Sequence, residues 1–158
     1  NDHQTVFLFI GNGAQNNFLK QRVNELNLKN IIFKDYQAYE DLNYSLNSAD
    51  LAIVSLGKNT EGLIAPSKLY GHLAAGSPIA AISPKDSYLR ELINSFNFGE
   101  WINNEDYISL CNLIRKLKED IELRNRYKNN ARKLFEEHFS ANLIVEKYDL
   151  ILRELEKY

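Results

Sequence analysis

Apolar positions along the chain alternate between short unbroken runs and stretches at helical spacing. Residues 5–10 form a continuous apolar run closed by Gly11-Asn12-Gly13, which predicts a buried strand and a tight turn. Residues 16–26 follow as a helix, with Phe18, Leu19, Val23 and Leu26 expected on its core face. Ile31-Ile32-Phe33 reads as a second short strand and Asp35-Tyr36-Gln37 as the loop after it. A helix is expected over 39–46, with Leu42 and Leu46 inward. Ala52-Ile53-Val54-Ser55-Leu56 then has the β-branched character of a parallel strand covered on both faces.

The next stretch is the best punctuated. After a loop holding Gly57 and Gly62, Pro66 stands where a first helical turn tolerates it. Gly76 suits the residue just past a helix end, Pro78 stops any continuation, and Ile79-Ala80-Ala81-Ile82 reads as the next strand. The unit is a βαβ crossover. At its helix start, unpaired N–H groups meet the Ser67 hydroxyl and the Lys68 ammonium, a combination that suits a phosphate or other anion. An ordinary N-cap serine beside a solvated lysine is the alternative that these residues leave open.

Further on, a helix is expected over 87–95 and a glycine turn into a short final strand at 97–102. Three helices follow, opened by Asp106, Asp120 and Ser140. Their apolar faces are Ile108, Leu110, Leu113, Ile114, Leu117; Leu123, Tyr127, Ala131, Leu134, Phe135; and Leu143, Ile144, Tyr148, Ile151, Leu152, Leu155. Strands alternate with helices over 5–102 and the chain is helical over 106–158. The expected architecture is α/β: a Rossmann-like doubly wound parallel sheet with a helical C-terminal tail, in a single domain over 1–158.

Composition narrows the function. The chain has 158 residues, enough for one sizeable core, and a net charge of −2 gives no electrostatic case for nucleic acid. Charges in the tail are mixed in sign, as on a solvated helical face. No apolar run approaches membrane-spanning length, and the first residues show no signal-peptide pattern. Cys111 is the one cysteine, so no internal disulfide forms, and it is expected to be a small buried hydrophobe. His3, His72 and His138 show no metal-ligand spacing, and no cofactor is expected. A cytoplasmic location fits, with the inner face of the membrane as an option. The absence of methionine, together with a strand opening the chain, predicts a fragment of a longer protein.

Several of these segments resemble, in order, the C-terminal donor-binding half of GT-B glycosyltransferases, in the large retaining group 1 (family 4). Phe9-Ile10-Gly11-Asn12-Gly13 resembles the family's strand and glycine turn. Asn30-Ile31-Ile32-Phe33 with Tyr36 is similar to the strand and loop against the nucleobase. Residues 48–55 are similar to the next family strand. Pro66 to Pro78 (PSKLYGHLAAGSP) is close to the form in a subgroup making capsular or exopolysaccharide, and 130–140 resembles the family's tail segment.

The resemblance implies a site. Ser67 and Lys68, with the following backbone N–H at Leu69, would hold a pyrophosphate, Lys68 also stabilising charge on the leaving group. Asp35, Tyr36 and Gln37 would receive the base, and Gly11, Asn12 and Gly13 would leave room for the ligand. Glu61, in the loop facing the sugar, is the candidate for a hydroxyl contact and, with Lys68, for the catalytic role. Of the family's glutamate pair, the ribose-gripping member falls on Gly71 and the other near Leu63, where Glu61 is the stand-in. Family halves also begin with one more strand and helix, carrying a basic clamp. The half is therefore expected to be incomplete here, either closing up or pairing with a second copy.

The function implied is the donor-binding part of a retaining glycosyltransferase in polysaccharide or glycoconjugate synthesis, taking a UDP- or GDP-linked sugar. Its acceptor would be a glycan or a lipid-linked group, and the piece alone is expected to be inactive. Two alternatives stay open: a non-catalytic Rossmann-like interaction domain, and part of a GT-B-shaped sugar-nucleotide epimerase.

Overall fold

The computed structural model describes residues 4–58, 60 and 63–155. By its contacts the chain divides into two compact units, Asn1–Ser45 and Leu46–Tyr158. All strand pairs are parallel, as the runs of branched apolar residues predict, but they form two sheets, of two and three strands.

In the first unit, β1 (Phe7–Ile10) leads through the glycine turn into α1 (Asn16–Glu25) and on to β2 (Ile31–Lys34). β1 pairs with β2 in the register Phe7↔Ile31 to Ile10↔Lys34. The Phe9 and Phe33 rings stack with centroids 5.4 Å apart, and Lys20 of α1 lies 5.7 Å over the Phe33 ring. α1 therefore sits on that face. The expected core face of α1 is not a core: Phe18 and Leu26 are more than half exposed, and no residue of the helix is buried. Two strands and one helix supply too few neighbours to cover it, so periodicity marks the apolar face correctly and burial does not follow. A 3-10 turn, Tyr39–Asp41, opens into α2 (Leu42–Asn47), which runs across the boundary between the units. Leu42, expected inward, is exposed.

The second unit holds the core. β3 (Ala52–Ser55), β4 (Ile79–Ile82) and β5 (Gly99–Ile102) lie in the order β3-β4-β5. Between and after them come α3 (Lys68–Ala74), α4 (Tyr88–Phe96), α5 (Tyr107–Glu119), α6 (Ile121–Leu134) and α7 (Ala141–Leu155). Alternate residues of β4 point to opposite faces. Ile79 and Ala81 join Val54, Leu69, Leu73, Leu89 and others in one apolar cluster. Ala80 joins Ile102, Leu113, Leu117, Leu123 and Tyr127 in a second. Helices thus cover both faces of this sheet, the doubly wound arrangement.

Local chemistry fixes the ends. Asp106 and Asp120 accept the backbone N–H of Ser109 and Leu123 at 3.0 and 2.8 Å, capping α5 and α6 as expected. Ser87 caps α4, and its hydroxyl meets that of buried Ser83 at 2.5 Å. Trp101 donates its indole N–H to the Ser83 hydroxyl at 3.1 Å, and the Arg90 guanidinium lies 4.7 Å over the same ring. The loop leaving β4 is thereby pinned to β5.

Cys111 corrects an expectation, being exposed. The buried stripe of α5 is Leu113 and Leu117, and a residue two positions before Leu113 projects toward the opposite side of a helix. The sequence pattern also does not announce the π-helical turn at Phe135–Phe139 between α6 and α7. Its Phe139 ring packs edge-on to Tyr70 of α3 at 5.1 Å. α7 has no buried residue, and Tyr148, Ile151, Leu152 and Leu155 are exposed.

Candidate functional site

In the second unit the candidate site starts from the turn that ends α3. Gly76 takes a left-handed φ of +68°, its N–H donates to the Leu73 carbonyl at 3.0 Å, and the Ser77 N–H reaches back to His72 at 2.9 Å. This is a Schellman ending, and it sends the chain directly into β4. Because β3 and β4 are parallel, the connection between them leaves from the carboxyl end of β3. α3 must then begin at that edge of the sheet, where open α/β sheets take their ligands.

At the start of α3, Ser67 and Lys68 are exposed. Ser67 stands at the N-cap position of α3 with helical backbone angles, and its hydroxyl caps no N–H there. Leu69 is a correction to the expected ligand set. Its side chain is fully buried in the core and its N–H donates to the Pro66 carbonyl at 3.0 Å, so it anchors the segment. Glu61 lies outside the described residues.

Burial, and after it the Lys68 ammonium, hold His72 below its ordinary pKa of 6.5. Its Nδ1 is buried with no hydrogen-bond partner among the described residues. A neutral packed imidazole follows. At Gly71, an added Cβ would stand 3.4 Å from Leu46 Cδ1. Leu46 thus occupies the side of α3 on which the resemblance implies a ribose-binding carboxylate.

Sequence reasoning passed over the loops bordering this edge. Lys58, just beyond β3, pairs with Glu105 at 2.9 Å. Asn104 donates to the Leu56 carbonyl at 2.9 Å, and Glu105 has a left-handed φ of +69°. These links join residues about fifty positions apart, so no local pattern carries them. A hollow of about 380 Å³ lies at the ends of β4 and β5, walled by Ile82, Ile102 and Leu110, and among the described residues none of the expected site residues lines it.

In the first unit the expected residues do come together. Gly11 has φ +107°, and the Tyr36 ring lies against it: an added Cβ would stand 3.3 Å from Tyr36 Cε1. The outer part of the ring is open, Tyr36 being 76% exposed. Asn16 holds the turn, its side-chain amide donating to Asn12 Oδ1 at 2.6 Å while its backbone N–H donates to the Gly13 carbonyl at 2.9 Å. Gln37 donates to the Asp35 carbonyl at 2.8 Å, which stiffens the loop that carries Tyr36. Among the described residues no cluster of three or more metal-ligating side chains occurs.

A family model described as glycosyl transferases group 1 matches residues 1–134. The probable glycosyltransferase WbjE of Pseudomonas aeruginosa is 26% identical over 154 residues, covering 98% of this chain and 38% of that protein. Among solved structures, Anabaena HepE in complex with UDP-glucose superposes with a TM-score of 0.78 at 19% identity, covering 96% of this chain and 42% of that one. WaaG, a glycosyltransferase involved in lipopolysaccharide biosynthesis, gives a TM-score of 0.70 at 20% identity, covering 94% and 38%. The chain therefore spans about two fifths of the length of these relatives. At such identities the solved structures speak for the fold, which is the Rossmann-like half of a GT-B protein. With 134 of its 158 residues under the family model, the chain belongs to the group 1 glycosyl transferases.

Proposed function

We propose that the chain is the nucleotide-sugar donor-binding part of a retaining glycosyltransferase acting in polysaccharide or glycoconjugate synthesis. The observation that carries this reading is the family match, whose span of residues 1–134 includes the Ser67-Lys68 segment exposed at the carboxyl edge of β3 and β4. In this reading Ser67 and Lys68 hold the diphosphate, and the Lys68 ammonium stabilises the charge that develops as the sugar departs. Gly11, Asn12 and Gly13, with Asp35, Tyr36 and Gln37, receive the nucleoside, Tyr36 offering its open ring to the base. Glu61 contacts a sugar hydroxyl.

The donor is a UDP- or GDP-linked sugar, and the UDP-glucose held by HepE favours uridine. The acceptor is a glycan or lipid-linked group, in keeping with the role of WaaG in lipopolysaccharide synthesis. Transfer requires the remainder of a protein of the relatives' length, and the chain alone binds without transferring. Both contact units belong to one Rossmann-like domain in this reading, supported by a family match that runs across them. The location is the cytoplasm or the inner face of its membrane. An exposed thiol at Cys111 suits a reducing compartment, and among the described residues no helix is long and apolar enough to cross a membrane. Self-association is part of the proposal, supported by exposed Val6, Leu8 and Ile10 on and beside a two-stranded parallel sheet.

Calorimetry with UDP and GDP tests the reading. Binding of one of them is expected, and Lys68→Ala should weaken it roughly tenfold to a hundredfold, the worth of one hydrogen bond to a charged group. Lys68→Arg should keep part of the affinity. Failure of both nucleotides to bind at about 1 mM, the weak end of the affinity scale, would overturn it.

A further inference from the structure

We propose that Asn12–Gly13 is a self-modifying site, at which the Gly13 backbone nitrogen displaces the Asn12 side-chain amide to leave aspartate and isoaspartate. No other asparagine of the chain precedes a glycine. Glycine is the residue that leaves its own backbone nitrogen least shielded, and here the surroundings add nothing to shield it. Both residues are exposed in the turn between β1 and α1. An ideal Cβ at Gly13 would meet no atom within 4 Å. Among the described residues the Gly13 N–H meets no backbone acceptor, while its carbonyl receives the Asn16 N–H.

The electrophile is prepared as well. Asn16 donates its side-chain amide to Asn12 Oδ1 at 2.6 Å. That donor sits where negative charge grows when the carbonyl is attacked, as an oxyanion-hole group does. Among the described residues it also leaves the Asn12 amide nitrogen uncommitted and able to depart.

The step balances without a cofactor. The Gly13 amide loses its proton to solvent base, and its nitrogen forms a bond to Asn12 Cγ. The bond from Cγ to the side-chain nitrogen breaks, and that nitrogen leaves as ammonia after taking a proton from water. The resulting succinimide is opened by a second water molecule. Cleavage beside Cγ gives aspartate, and cleavage beside the backbone carbonyl gives isoaspartate, with the chain rerouted through the side chain. Either product puts a carboxylate on the turn, and the second also lengthens the backbone there. If the turn receives the nucleotide, a consequence that rests on the functional reading above, modification weakens donor binding as the protein ages.

The test begins with the folded chain held at mildly alkaline pH. Peptide mass mapping follows the exchange of amide for acid, and isoaspartyl methyltransferase labelling follows the rearranged product. Conversion is expected at Asn12, about tenfold slower in Gly13→Ala, a change of about 1.4 kcal/mol in barrier. That methyl has open space, so the variant should melt no lower than the wild type and its slowing would not reflect misfolding. Asn16→Ala should also slow conversion. An Asn12 amide that persists in the folded chain while the unfolded chain converts would overturn the proposal, as would equal rates in wild type and Gly13→Ala. Faster conversion in Asn16→Ala would overturn the role given to Asn16. Fresh and aged protein are then compared by UDP calorimetry, with Asn12→Asp as the mimic of one product. Weaker binding by aged protein and mimic supports the consequence, and equal affinity refutes it. Fresh protein that ignores both UDP and GDP sinks the donor reading while leaving the chemistry at Asn12 standing.

Discussion

Replacing Gly99 by alanine sets backbone preference against packing, and the two predict opposite signs. Alanine within a strand loses less conformational entropy on folding than glycine, which by itself favours Gly99→Ala by roughly 0.5–1 kcal/mol. Gly99 opens β5 directly opposite Ile79 of β4, however. A Cβ there would run into the Ile79 carbonyl oxygen and would stand 2.7 Å from its carbonyl carbon and 2.8 Å from its nitrogen. All three are backbone atoms of the central strand, so no flexible side chain can swing away. The ladder must spread, and the bond from the Ile79 N–H to the Phe98 carbonyl, 3.1 Å long, lies at the point of strain. Overpacking of this kind costs about 1–3 kcal/mol, and one buried backbone hydrogen bond adds about 1 kcal/mol. After the entropic gain, a net loss of about 1–3.5 kcal/mol remains. For a chain of 158 residues that is a fall in melting temperature of about 2–14 °C. Urea and thermal unfolding followed by circular dichroism would measure it, with an unchanged urea slope showing that folding cooperativity persists. A variant as stable as the wild type, or more so, would refute the argument.

Two further outcomes follow from the caps and the buried imidazole. Asp120→Ala removes the acceptor of the Leu123 N–H at the start of α6 and should cost about 1 kcal/mol in urea unfolding. His72, whose pKa is lowered first by burial and then by Lys68, binds its proton at lower pH folded than unfolded. The unfolded chain therefore holds more protons between the lowered value and about 6.5, so stability falls as pH drops through that window and is fully present above it. Stability measured at a series of pH values should lose part of that slope in His72→Gln, and an unaltered slope would show that the imidazole is not responsible.

Much of the second unit was legible because its boundaries are marked by residues with one use. Gly76 and Pro78 ended α3, Asp106 and Asp120 opened α5 and α6, and the faces Leu113-Leu117 and Leu123-Tyr127-Ala131-Leu134 became core. The start of α3 at Lys68 was legible for the same reason. Local pattern says nothing of what covers an apolar face, which is why Phe18 and Leu26 were expected inside and are exposed. It also does not choose strand partners, so two sheets were not foreseen. The links from Lys58 to Glu105 and from Asn104 to Leu56 were invisible because each depends on a fold already formed.

Ala80 and Ala81, adjacent and fully buried, belong to different clusters on opposite sides of β4. Each is a spacer that sets how closely one helical layer may approach the sheet. An extra methyl group at position 80 would press on the layer of α5, and one at position 81 on that of α3 and α4. Two neighbouring residues thus set the thickness of the domain on either side, and α6, which gives Ala131 and Leu134 to one cluster and Leu123 and Tyr127 to the other, ties the two layers together.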